Sequence, residues 1–227
     1  MKEFLFNRGL LKIKEENLKE YSDSLLFKIA ISQETLAIRK AAIANLKDEQ
    51  LLLKLANERS DEDNTLGVLA TEKINSQEVL IQIFWEANND QICNTAANRI
   101  NDSGILTKGL FEHPLEQVRK NILKKISDQH LIANVAIEDK DRNVRLEAFK
   151  KLNDQKMLSR VAINSADELI QLEAIKQISD QKTLSKVAIK VNDENVQIEA
   201  LKKVNDQILL SKIAINGRNE LIRLEAI

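Results

Sequence analysis

Glycine and proline are nearly missing from this chain, with five Gly and one Pro in 227 residues, against a combined share of about 12 % in average proteins. Those two residues punctuate sheets and long loops, so their scarcity argues against both and predicts an all-helical chain. Cysteine is reduced to Cys93, which has no internal disulfide partner and suits a reducing compartment. With two histidines beside it, the chain offers no Cys/His set of zinc spacing, and it contains neither a glycine-rich phosphate loop nor a Gly-x-Ser-x-Gly elbow. No 18-residue apolar run occurs, and residues 1–9 lack an apolar stretch followed by a cleavage site, so a cytoplasmic protein without membrane contact is expected. Neither sign of charge dominates. There are 34 Lys and Arg against 35 Asp and Glu, net −1, which supplies no overall field for nucleic acid. Residues 1–112 carry 14 basic and 18 acidic groups and residues 113–227 carry 20 and 17, a modest tilt.

What the chain has instead is a period. The segment from Asn143 to Ile163 returns 26 residues later from Leu169, and again from Asn195. Anchored on the residue before its final apolar position, the repeat gives Ala30, Ala56, Phe84, Leu110, Ala136, Ala162, Ala188 and Ala214, spaced by 26 with a single 28. The two extra residues fall in the polar stretch 57–63, where a loop absorbs them cheaply. Each unit divides into a longer helix, about Arg142 to Leu152, with Val144, Ala148, Phe149 and Leu152 on one face, and a shorter one, about Lys156 to Ile163, with Leu158, Val161 and Ala162 inward. Asp141 is the expected N-cap of the longer helix, echoed by Asp63, Asp167 and Asp193. Asp154 serves the shorter, echoed by Asp128, Asp180 and Asp206. Helices this short bury too little alone, so they must stack.

The pattern Asp193-x-x-Val196-x-x-x-Ala200-Leu201-x-x-Val204, followed by Leu210-x-x-Ile213-Ala214, resembles HEAT-type repeats, in particular their short bacterial variants and the related leucine-rich repeat variant. Arg39, Arg119, Arg145 and Arg223 hold the place where such repeats often keep an arginine; Gln171, Gln197, Gly67 and Cys93 replace it in other copies. The resemblance runs from about Ser24 to Ile227. It implies a right-handed α-solenoid of about eight two-helix repeats, longer helices on the concave face and shorter ones on the convex. Residues 1–23, with Phe4, Leu5, Phe6, Leu10, Leu11 and Ile13, are expected to cap the stack. Because the last copy stops within a longer helix at Ile227, a longer natural chain or a cut fragment is expected.

Candidate chemistry is thin. His113 and His130 read as surface residues. Asp61, Asp63, Thr65 and Glu72 match four positions of a calcium loop, but Leu66 stands where that loop needs glycine. Glu147, Glu173, Glu199 and Glu225 recur as a ladder that reads as i,i+4 pairing of Glu147 with Lys151 and Glu199 with Lys203. Trp85 and Phe111 share a position with Ile31, Ile137, Ile163, Ile189 and Ile215 and are expected in the core, and Cys93 is expected to be inert. No catalytic, cofactor or metal residue is assigned.

Two surface features carry the functional expectation. A basic stripe on the longer helices comprises Lys124, Lys125, Lys150, Lys151, Lys176, Lys202 and Lys203; a basic line on the shorter ones comprises Lys28, Lys54, Lys108, Arg160, Lys186 and Lys212. The resemblance and the missing catalytic groups favour a non-catalytic protein-binding scaffold. The alternative is nucleic-acid binding through the lysine stripe, for which few aromatics are free to stack on bases. A lyase-like activity, known among HEAT-like proteins, would need a nucleophile or acid/base pair that is not evident. Phe27, Leu53 and Ile81 give way in later repeats to Thr107, Ala133, Ser159, Ser185 and Ser211, while Lys40, Val68, Asn94 and Lys120 give way to Leu146, Leu172, Ile198 and Leu224. That exchange predicts a change of curvature around residues 101–118, and makes Phe27, Leu53 and Ile81 either covered or a docking patch.

Overall fold

The computed structural model describes residues 2–9, 12–58 and 64–227. Every regular element among them is a helix, and consecutive helices pack as pairs. The chain forms two compact units, residues 1–122 and 123–227. The first holds α1 (Lys2–Asn7), a 3₁₀ turn (Glu15–Glu20), α2 (Asp23–Ala30), α3 (Leu36–Asn45), α4 (Glu49–Asn57), α5 (Thr65–Lys73), α6 (Gln77–Glu86), α7 (Asp90–Arg99) and α8 (Ser103–Glu112). Helix α9 (Glu116–Lys125) carries the boundary. The second holds α10 (Gln129–Glu138), α11 (Arg142–Lys150), α12 (Gln155–Asn164), α13 (Glu168–Gln177), α14 (Gln181–Lys190), α15 (Glu194–Lys202), α16 (Gln207–Asn216) and α17 (Glu220–Glu225).

Within each unit the even-numbered helices form one layer and the odd-numbered helices another: α2 packs on α4 and α4 on α6, α3 on α5 and α5 on α7, then α10 on α12, α12 on α14 and α14 on α16, with α13 on α15. The 3₁₀ turn lies against α3, with Leu18 fully buried and Ile13 and Tyr21 nearly so. Leu5 and Phe6 are half-buried; Leu10 and Leu11 lie outside the described residues, as do Asp61, Asp63 and most of the stretch assigned to the insertion.

The two helices of a repeat are of nearly equal length, nine residues in α11 and ten in α12, so the division into longer and shorter is corrected. The cause is the cap. Asp154 accepts from the amides of Lys156 and Met157 at 2.9 and 3.0 Å, which starts α12 at Gln155. Asp128, Asp180 and Asp206 cap α10, α14 and α16, and Asp141, Asp167 and Asp193 cap α11, α13 and α15. Each such cap stabilises its helix by about 1 kcal/mol. Helix α5 differs: its N-cap Asn64 is left-handed at φ 57° and makes no side-chain cap bond.

The anchor series lines the core between layers, with Ala30, Ala56, Ala136, Ala162 and Ala188 buried and Ala214 half-buried. Phe84 occupies this small-residue place and is fully buried. Its room comes from Gly109, where later copies have Val135, Val161 and Val187: a Cβ on Gly109 would meet Phe84 Cζ at 2.4 Å. The expected core place of Trp85 and Phe111 is corrected, because Trp85 is half-buried and Phe111, Ile31 and Ile215 are exposed. One residue beyond the anchor is a turn of about 100° around the helix, which brings this position to the rim of the inward face.

The paired exchange of sizes makes a direct prediction. Phe84→Ala alone should cost about 3 kcal/mol or more through the cavity, and Gly109→Val alone about 1–3 kcal/mol through overpacking. The double variant should be more stable than the sum of the two losses, read as a favourable coupling in a urea-unfolding cycle; additive losses would show that the two positions do not share one space.

Candidate functional site

Several of the repeated polar residues face the backbone. Gln155, first residue of α12, reaches the turn after α13: its Oε1 accepts from Ser179 N at 2.8 Å and Asp180 N at 3.3 Å, and its Nε2 donates to Gln177 O at 3.3 Å. Gln129 does the same to Asn153, Asp154 and Lys151, Gln181 to Asn205 and Lys203, and Gln77 to Asn101 and Arg99. In the first repeats a carboxylate fills the acceptor half: Glu49 accepts from Asn75 and Ser76, and Asp23 from Lys47 and Asp48. The amide matches a turn that offers both donors and an acceptor, so one side chain ties these repeats to the next; at the start of α8 the place is held by Ser103.

Part of the basic stripe belongs to the same frame. Lys151 Nζ donates to Leu123 O, Lys124 O and Ile126 O at 2.6, 3.0 and 2.8 Å, and Lys203 Nζ to Ile175 O, Lys176 O and Ile178 O, each at 2.8 Å. Both amines sit on the last carbonyls of the preceding odd helix, where orphan acceptors and the negative end of the dipole favour a cation. Arg99 reaches Thr71 O and Glu72 O likewise, and Lys73 reaches Ala44 O; Lys125 holds the equivalent place in the sequence. The stripe is therefore corrected to a narrower row. Lys124, Lys125, Lys150, Lys176 and Lys202 are exposed. Lys176 pairs with Glu173 at 2.6 Å and Lys202 with Glu199 at 2.7 Å, at i,i+3, so Glu199 does not take the expected i,i+4 partner Lys203, which is held by carbonyls.

The arginine position has its own role. Arg119 donates to His113 O and Pro114 O at 2.7 and 3.1 Å, Arg145 to Asp139 O at 2.8 Å, and Arg223 to Gly217 O at 3.0 Å. Gln197 replaces it by donating to Val191 O at 2.7 Å, and Cys93 Sγ lies 3.0 Å from Ala87 O. All of these close the turn six residues back. Cys93 is fully buried, and burial pushes its thiol up to about 11, so it stays protonated and unreactive at neutral pH. Gly67 holds the position where Ala56 O and Ile92 crowd the backbone, a Cβ there lying 2.6 Å from Ile92 Cδ1.

The surface reading of His113 is overturned. It is fully buried, accepting at Nδ1 from Leu115 N at 3.2 Å and donating from Nε2 to Phe84 O at 2.7 Å. A neutral ring satisfies both bonds. It stacks with Trp85 at 5.7 Å between centroids, over which Lys108 Nζ stands at 5.6 Å. His130 is exposed as expected. The proposed docking patch is not continuous: Leu53 is buried, and Phe27 and Ile81 are half-buried. Of the calcium template, Leu66 is buried in the first turn of α5 and Asp61 and Asp63 lie outside the described residues.

No protein-family model and no curated protein matches the chain. Among solved structures it has a likeness to one described as "Computational Design of Self-Assembling Cyclic Protein Homooligomers", 15 % identical, covering 93 % of this chain and 76 % of that one, with a TM-score of 0.13. At that score the likeness carries no argument. No helix among the described residues is long and apolar enough to cross a membrane.

The two lysine types should separate in a stability assay. Lys203→Met strips a cation from three carbonyls and should cost about 1–2 kcal/mol, whereas Lys202→Met, on an exposed pair, should cost under about 0.5 kcal/mol. Equal losses in thermal or urea unfolding would show that Lys203 is an ordinary surface residue.

Proposed function

We propose that the chain is a protein-binding scaffold, a right-handed helical-repeat stack of HEAT type without catalytic activity. The supporting observation is the division of labour among polar residues. Those that recur, Gln129, Gln155, Gln181, Lys151, Lys203 and the N-cap aspartates, are engaged with backbone. Some positions that face solvent vary between copies, as where His130, Lys156, Lys182 and Ile208 are all exposed at one equivalent position, while the exposed Lys124, Lys150, Lys176 and Lys202 repeat. A constant frame with interchangeable exposed positions suits recognition of another protein over a long surface. The free thiol of Cys93 fits a reducing compartment such as the cytoplasm.

Nucleic acid is less well served. Two lysines of the stripe are bound to carbonyls and two more pair with glutamates of their own helices, which lowers the charge available to phosphates. Affinity capture from native lysate, with and without nuclease, tests the choice. Bound proteins should survive nuclease treatment and be unaffected by changing Lys124, Lys150, Lys176 and Lys202 together to Glu. Their release by nuclease, together with salt-steep retention of the chain on DNA or RNA that the fourfold change abolishes, would replace the scaffold reading with the nucleic-acid one.

A further inference from the structure

The even layer of the second unit contains a groove of about 620 Å³ between α12 and α14. Five cations line it: Lys156 and Arg160 from α12, and Lys182, Lys186 and Lys190 from α14. The one carboxylate beside them, Asp180, is turned to the amide of Thr183 at 2.7 Å, where it caps its own helix. None of the five cations has an ion-pair partner among the described residues. Like charges so close repel one another, and no partner in the fold offsets that repulsion.

The charge is local to this pair of helices. At the positions of Lys156, Arg160 and Asn164, α10 has His130, Asn134 and Glu138, and α16 has Ile208, Lys212 and Asn216. Only α14 places lysine at all three. Duplication of a repeat would not produce that difference, because the frame residues around it stay constant.

The floor of the groove is formed by buried and aliphatic side chains. Ser159 lines the groove and is 3 % exposed, yet its hydroxyl has no hydrogen-bond partner. The equivalent Ser185 and Ser211 donate to Lys182 O at 3.0 Å and Gln207 O at 2.9 Å in their own helices. The Ser159 hydroxyl oxygen is itself sealed from solvent, so it lies beneath the groove surface and the cations above it are the groups that face a ligand. Beside it lie Met157 and Ile163, which offer aliphatic contact, and no aromatic ring lines the groove to stack on a base.

We propose that this groove binds an acidic peptide segment of the partner protein, an inference that rests on the scaffold reading and names the chemistry of what the scaffold holds. Cations four residues apart on α14 recur about every 6 Å along its axis. That spacing matches carboxylates four apart on a helix or two apart on an extended strand, the latter about 6.8 Å. Its carboxylates lie along the two rows of amines.

The test is fluorescence anisotropy of the purified full chain with a labelled peptide of alternating Glu and Ala, beside a labelled oligothymidylate of equal charge. The peptide should bind more tightly than the oligonucleotide and weaken with salt. Lys182→Glu with Lys186→Glu should weaken the peptide at least about tenfold. Ser159→Ala, at a hydroxyl that lies beneath the groove surface, should change it little. Lys176→Glu with Lys202→Glu, on the other layer, should change it little, and circular dichroism should be the same for all variants. No peptide binding at low salt, binding indifferent to the groove changes, or tighter binding of the oligonucleotide overturns the proposal. If the groove variant still captures the same nuclease-resistant protein, the groove assignment fails while the scaffold reading stands. If the wild-type chain captures none, the scaffold reading fails and the peptide titration decides the groove alone.

Discussion

A helix of nine or ten residues does not hold itself together in water, and everything in this chain follows from that constraint. Four amides at its start and four carbonyls at its end lack partners within the helix, so most of the backbone of such an element is terminal. Here the missing partners come from the neighbouring repeat. Gln155 binds both sides of the turn after α13, and Lys203 covers the end of α13. Aspartate caps complete the other end. The 26-residue period is the distance at which a side chain meets the same backbone one repeat further on.

This arrangement separates the side chains that hold the repeats together from those that do not. Side chains directed at backbone are held to a narrow chemistry: a primary amide meets both the amides and the carbonyl of the turn, Glu49 and Asp23 meet only its amides, and a cation suits three carbonyls. Side chains on the outer surfaces of the helices are released from that duty. The cationic groove of α12 and α14 lies in this freed set, and its chemistry changes at the adjacent helices while Gln129, Gln155 and Gln181 keep theirs.

Much of the fold was legible because caps and apolar periodicity are local signals. Asp141 and Asp154 are followed by the expected helices, and Val144, Ala148, Leu158 and Ala162 are buried as their spacing implies. The frame of side chains was harder to read. Lys151 and Lys150 are adjacent lysines at a helix end, and only the carbonyls of the preceding repeat tell them apart. A signal was present in the recurrence of Gln at 77, 129, 155, 181 and 207, the first residue of a helix, where any good helix former would serve. His113 was misplaced for a similar reason: its partners, Phe84 O and the face of Trp85, lie nearly thirty residues away. The groove was missed because Lys186 was read as one copy of a repeated line, when what marks it is the company of Lys156, Lys182 and Lys190.

The claim that neighbouring repeats complete each other's backbone is tested most directly by native-state hydrogen exchange at the turn amides of Asn101, Asn153, Ser179 and Asn205. These residues are solvent-exposed, yet each amide donates to a glutamine of the preceding repeat at 2.8–3.0 Å. Protection approaching that of the adjoining helices, lost at Ser179 when Gln155 is changed to Ala, is the predicted result. Exchange of all four at the rate of an open loop would contradict the account.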